Sequence, residues 1–174
     1  MPADEIYLDV ETLRLSDEVP GGWNSISQFG LAVAVTWDKQ HGFRQWFEKD
    51  VESLVGELGK YSRIITYNGN RFDLEVLGGY SPVKKLQPRS LDLLACLEAR
   101  LGHRVSLATL ASETLSSAKS GSGLDAVKWW RAGQREKVIK YCEQDVQLLI
   151  DLVEFGRKNG YVMVDGRRVP VDWG

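Results

Sequence analysis

Two residues in the stretch KYCEQDVQLLIDL (140–152), Tyr141 and Asp145, stand four apart in a run whose apolar members Val146, Leu149, Leu152 and Val153 recur at spacings of three and four. That spacing predicts a helix, and on a helix positions four apart share a face. The phenol and the carboxylate therefore point the same way. Two further acids, Asp9 and Glu11 of YLDVET, lie two apart in a β-rich run. Alternation along a strand puts both on one face and turns Leu8 and Val10 into the core. Asp73 closes YNGNRFD (67–73), just past the turn that ends another strand and in the first turn of the next helix. Each acid has an ordinary reading: a wet edge strand for Asp9 and Glu11, a helix-start residue for Asp73, surface decoration for Asp145. Together they have another. Oxygen-only donor sets suit magnesium or manganese, which keep room for water and a substrate phosphate. Two such ions can clamp the attacking and leaving oxygens of an in-line displacement at phosphorus. Spacing alone does not bring Asp145 beside Asp9.

The elements that must position these residues follow from the patterning. EIYLDVET (5–12), SISQFGLAVAVTW (25–37) and GFRQWF (42–47) read as consecutive strands, the last two antiparallel across the polar turn DKQHG. LRLSDEVPGGWN between the first two is a glycine-containing loop or flap. KDVESLVGELGKY (49–61) carries Val51, Leu54, Val55 and Leu58 on one helical face. SRIITYN (62–68) is a fourth strand, followed by a helical RFDLEVLGGY, and PRSLDL offers a fifth. The remainder is mostly helical: LDLLACLEARLG, VSLATLASETL with Ser106 as N-cap, LDAVKWWRAG, and a long helix that ends at Gly160. SSAKSGSG (116–123) reads as a mobile loop, and YVMVDGRRVPVDW as a small hairpin around Asp165-Gly166. No repeat or linker interrupts the chain. The expectation is one α/β domain over residues 1–174, a mixed sheet of about five strands flanked by helices, with a C-terminal hairpin.

Composition sets bounds. The 174 residues are 43% hydrophobic and 26% charged with a formal net charge of −2, which describes an ordinary globular protein. The mild acidity leaves a nucleic-acid enzyme open, since bound cations reverse the local sign of a carboxylate site. Cys96 and Cys142 lack metal-type spacing and read as reduced packing residues. No apolar run approaches the ~18 residues of a membrane span, and the N-terminal segment lacks a signal-peptide layout, so a soluble, cytoplasmic protein with no membrane partner is expected.

LDVET, YNGNRFD and YCEQD resemble, in order, the three exonuclease motifs of the DEDD superfamily, whose fold is that of ribonuclease H. Asp9 and Glu11 match Asp-x-Glu; Asn68, Phe72 and Asp73 match Asn-x-x-x-Phe-Asp; Tyr141 and Asp145 match Tyr-x-x-x-Asp. The last match assigns the tyrosine-type (DEDDy) branch, since neither His41 nor His103 lies where the histidine branch places its base. The resemblance implies 3′–5′ exonuclease action on single-stranded DNA or RNA with two divalent cations, Mg2+ or Mn2+. It makes Asp9, Glu11, Asp73 and Asp145 metal ligands, and Tyr141 the residue that holds and orients the attacking water. Thr12 and Leu13 would touch the terminal nucleotide, and Asn68, Asn70 and Phe72 would lie on the substrate side. Leu13 and Phe72 also read as packing residues. The C-terminal hairpin is not part of the motif pattern.

From Lys119 to Lys140 six basic residues (Lys119, Lys128, Arg131, Arg135, Lys137, Lys140) face two acids, Asp125 and Glu136. Such a run either follows a phosphate backbone or forms a solvated helix face. Of Trp129 and Trp130, one is expected in the core and one partly exposed. An endonuclease or resolvase on the same fold is the rival enzyme, and the Tyr-x-x-x-Asp helix argues against it. A non-catalytic nucleic-acid-binding domain is the other rival, and no ligand position is lost. Contacts to phosphate and sugar do not choose between DNA and RNA.

Overall fold

The computed structural model describes residues 4–117 and 121–174. Its spine is strand β1 (Glu5–Thr12), which sits at the centre of a five-stranded mixed sheet of order β3-β2-β1-β4-β5. β2 (Leu31–Asp38) runs antiparallel to β1, and β3 (Gly42–Trp46) antiparallel to β2. β4 (Arg63–Thr66) and β5 (Ser90–Asp92) complete the other side in parallel. Successive side chains of a strand point to opposite faces, and β1 uses this fully. Ile6, Leu8 and Val10 enter one apolar layer with α1 (Val51–Leu58) and α2 (Asp73–Gly78). Tyr7 enters the other layer, under α3 (Leu93–Leu101), α4 (Leu107–Leu115), α5 (Gly123–Arg131) and α6 (Arg135–Asn159).

Strand β1 changes character along its length. Its parallel pairing with β4 ends at Tyr7–Ile65, so its C-terminal half has an unpaired edge on that side. Its register against β2 shifts between Glu11 and Thr12, an irregularity of pairing directly after the second acid.

The C-terminal hairpin forms as expected, β6 (Tyr161–Val164) against β7 (Arg167–Pro170), with Asp165 and Gly166 both at positive φ. Val162, Val164 and Val169 pack it into the α6 layer. Ser106 caps α4 by accepting the Thr109 N–H at 3.1 Å, and Gly160 ends α6 in the left-handed region. The long strand expected over 25–37 is shorter. Its first part is a 3-10 segment over Gly22–Gln28, and only from Leu31, past Gly30 at φ 73, does the chain extend. The alternation that mimics a strand there serves instead to bury Phe29 and to lay Ile26 on the α2 layer. The loop expected over 116–123 lies partly outside the described residues. Among the described residues no helix is long and apolar enough to cross a membrane.

Candidate active site

Strand β1 and helix α6 bring three acids together. The carboxylates of Asp9, Glu11 and Asp145 each offer an oxygen within 4.8 Å of the others. Glu11 and Asp145 are buried and Asp9 is half-buried. Three carboxylates this close and this dry repel one another when ionised, and a shared proton or a bound cation relieves that repulsion. Their donors are all oxygens, the set that hard divalent cations take, so the residues fit a magnesium- or manganese-type ion. Directly behind Asp9, the buried Cys142 thiol donates to its Oδ2 at 3.1 Å. Burial first, and then the charges of Asp9 and Glu11, hold that thiol well above its ordinary pKa, so it stays a neutral donor.

Asp73 opens α2 and lines the same cleft, but it stands apart from the trio. Its Oδ1 accepts the backbone N–H of Val10 at 3.0 Å. Val10 lies past the last β4 partner of β1, so its N–H needs an acceptor from elsewhere. Burial, with the charges of Asp92 and Asp145 added, outweighs this hydrogen bond and pushes the Asp73 carboxyl up to about 8.

The sequence reading missed Asp92. This buried acid ends β5 and caps α3 through the Ala95 N–H at 3.2 Å. It also accepts the N–H groups of Asn68, at 2.8 Å, and of Asn70, at 3.1 Å. Those bonds hold a turn with Asn68 at φ 67 and with Gly69 so close to Thr66 that a Cβ would collide with its side chain. Asp73 comes three residues after Asn70. An aspartate directly before an apolar helical run was the available signal.

Tyr141 is buried one helical turn before Asp145, its ring meeting Trp129 edge-on at 5.9 Å between centroids. Asp9, Glu11, Asp73, Tyr141 and Asp145 all line one cleft of about 420 Å³, together with Thr12 and Phe72. Thr12 is buried and donates its hydroxyl to the Arg14 carbonyl at 3.0 Å. Leu13 lies against Gly30 instead. Asn68 and Asn70 line a neighbouring groove of about 700 Å³, and Phe72 borders both spaces.

The basic run divides its cations among local partners. Arg131 makes two contacts of 2.6 Å with Glu18, on the connection between β1 and β2, and donates to the Leu13 carbonyl. Arg135 covers the Trp130 ring at 4.9 Å and Lys137 the Trp129 ring at 4.2 Å. Both tryptophans are half-buried, Trp130 stacking on Phe47, rather than one inside and one out. Lys128 and Lys140 are exposed, and Lys119 lies outside the described residues.

The family model RNase_H_2, described as RNase_H superfamily, matches residues 6–155. The chain belongs to the RNase H superfamily. A search of curated proteins finds no match. Three solved structures are similar to this chain in fold at low identity. One is the family B DNA polymerase of the archaeon Pyrobaculum calidifontis, with TM-score 0.65 and 14% identity over 90% of this chain. Another is RNase D of Trypanosoma brucei, with TM-score 0.64 and 16% identity over 88% of this chain. The RNase D solved in complex with RNA U12 matches with TM-score 0.65 and 15% identity over 98% of this chain and 67% of its own. This RNase H superfamily chain spans only 25% of the polymerase and 57% of the first RNase D chain.

Proposed function

We propose that the protein is a metal-dependent 3′–5′ exonuclease of the DEDDy type, releasing mononucleotides from the 3′ end of single-stranded DNA or RNA. One observation carries the reading: Tyr141 and Asp145, one turn apart on α6, face the cleft in which Asp145 meets Asp9 and Glu11. An endonuclease site needs clustered acids but has no evident use for a buried phenol beside them.

In this reading Asp9, Glu11 and Asp145 hold the cations and Asp73 shares them from α2. Two Mg2+ or Mn2+ ions bound there would supply Lewis-acid stabilisation of an in-line displacement at phosphorus. The chain's own part is positioning. Tyr141 holds and orients the attacking water with its hydroxyl. Thr12 and Phe72, on the cleft wall, face the terminal nucleotide. Cys142 fixes the rotamer of Asp9 through its thiol hydrogen bond. Single-stranded RNA is a natural first substrate, since the similar RNase D was solved with an RNA, and DNA is tested beside it because of the polymerase likeness.

The test is a time course with strands labelled at either end, in magnesium, manganese and chelator. The 3′ label should appear at once as a mononucleotide, while a 5′-labelled strand shortens in single steps. Cleavage of a circular single strand, or activity that survives chelation, would overturn the reading.

A further inference from the structure

Among the described residues three large apolar side chains are exposed, Trp23, Phe43 and Leu124, and two of them, Trp23 and Leu124, line the acid cleft. Exposed apolar side chains that border a cleft offer contact surface to a ligand. Trp23 is 67% exposed and yet firmly placed. Its ring meets Phe29 edge-on at 5.7 Å and Phe72 at a tilt at 6.4 Å, and neither contact is a face-to-face stack. Behind it, Gly21 and Gly22 take φ values of 88° and 54°, a backbone that glycine adopts without strain. The next residues along the chain are pressed on α2, where a Cβ on Gly79 would collide with the Ser27 carbonyl.

From Trp23 and Phe72 the neighbouring groove runs to Arg71 and Arg104. Their side chains are 66% and 45% exposed, with Glu98 attending both at 3.6 and 3.5 Å, an ion-pair rather than a hydrogen-bond spacing. Arg104 is aimed by its bond of 3.0 Å to Asn68 Oδ1. The Oδ1 of Asn70, a residue of the same groove, is buried and has no hydrogen-bond partner among the described residues. Glu75 is the opposing charge on the lining, and a strand must pass it on the arginine side.

We propose that a single-stranded nucleic acid leaves the acid cleft along this groove, one base stacked on Trp23 and the phosphates beyond it held by Arg71 and Arg104. An exposed ring accepts any base on its face, and guanidinium forks match phosphate oxygens. Aromatic and cationic side chains in succession suit a polymer that alternates bases with phosphates. The direction of the strand rests on the exonuclease reading; the binding does not.

The experiment measures fluorescence anisotropy with labelled single strands of about two and about eight nucleotides in calcium, and hydrolysis of the same strands in magnesium and manganese. Wild type should bind the longer strand at least about 10-fold more tightly than the shorter one. Trp23→Ala should lose about 10-fold in affinity for the longer strand, with Trp23→Phe restoring most of it. Arg71→Ala with Arg104→Ala should lose a similar factor and flatten the salt dependence, which Trp23→Ala leaves steep. Melting curves of these surface variants establish that they fold. A wild-type affinity indifferent to length, or a length dependence that survives both the Trp23→Ala and the double arginine change, overturns the groove. Binding through Trp23 without hydrolysis in either metal sustains the groove and sinks the exonuclease reading. Hydrolysis with no role for Trp23 or the arginines does the reverse.

Discussion

The carboxylate of Asp73 accepts a hydrogen bond of 3.0 Å from the backbone N–H of Val10, the residue between Asp9 and Glu11 on β1. The acid on α2 is thereby fixed against the strand that carries the first two acids, and it is buried at the wall of the cleft. Burial pushes its carboxyl up to about 8, whereas an unfolded chain releases that proton near pH 4. Between those values the folded protein keeps a proton that the unfolded chain has lost. The contribution of this group to stability therefore falls as pH rises from about 4 to about 8. Asp73→Asn still offers an oxygen to Val10 and cannot ionise. In chelator, its Tm should fall less than that of wild type between about pH 5 and about pH 9. Parallel Tm curves for the two proteins would show that the proton is held elsewhere.

Metal should stabilise the fold through the trio of acids. A ligand that binds only the native state at about 100 times its Kd adds roughly 2.7 kcal/mol. Millimolar manganese should therefore raise the Tm of wild type. The double variant Asp9→Ala, Asp145→Asn should fold, show no such rise, and lose hydrolysis. An undiminished shift in that variant would place the ions away from these residues.

Tyr141→Phe and Asp145→Asn should fail in different ways. The first keeps the ring on Trp129 and the charge of the cluster, removing only a hydroxyl. Manganese affinity should hold while the single-turnover rate drops by ~10²-fold, the lower range for an orienting or proton-handling group. Asp145→Asn should weaken both. Equal, wild-type-like rates in the two variants would reduce this helix face to packing.

Asp92→Ala removes the acceptor of three backbone N–H groups, those of Asn68, Asn70 and Ala95. Loss of a helix cap costs about 0.5–2 kcal/mol, and each buried donor left unpaired about 1–3 kcal/mol more. Stability should fall by a few kcal/mol on denaturant titration. The turnover of the folded fraction should fall too, because the turn that leads into Asp73 loosens. Asp92→Asn, which keeps an acceptor oxygen, should lose less of both. A destabilised variant with intact turnover would make Asp92 a helix cap and nothing more.

What the sequence disclosed was periodic. The alternation of Tyr7, Asp9 and Glu11 with Ile6, Leu8 and Val10 declared which face of β1 holds the acids, and the i, i+4 pair on α6 declared the face that meets them. The hairpin was legible because a two-residue turn needs positive φ at both positions and Asp-Gly accepts it. The start of β2 was not, because Ile26 is apolar to pack on the α2 layer and Phe29 to bury its ring against Trp23 and Phe72, and the two only resemble strand residues in spacing. Asn68 and Asn70 stand close to Asp73 in sequence, yet their turn carries them into the adjoining groove. Asp92 was hidden for a different reason: its partners are backbone N–H groups more than twenty residues away, and backbone groups leave no trace in a sequence pattern.

Glu18 and Arg131 join the connection between β1 and β2 to α5, and the residues on either side of that joint, Ser16 and Leu124 among them, border the acid cleft. The hydrogen bonds from Arg131 and from the Leu15 N–H hold the Glu18 carboxyl down at about 2, so the joint keeps its charge in all but strong acid. Dissolved ions, however, reach both side chains and compete for them. Ionic strength then acts on this protein twice. It would weaken the hold of the proposed groove on phosphates, and it loosens the pairing of Glu18 with Arg131 beside the cleft. The joint beside the cleft is therefore set by the buffer as well as by the fold.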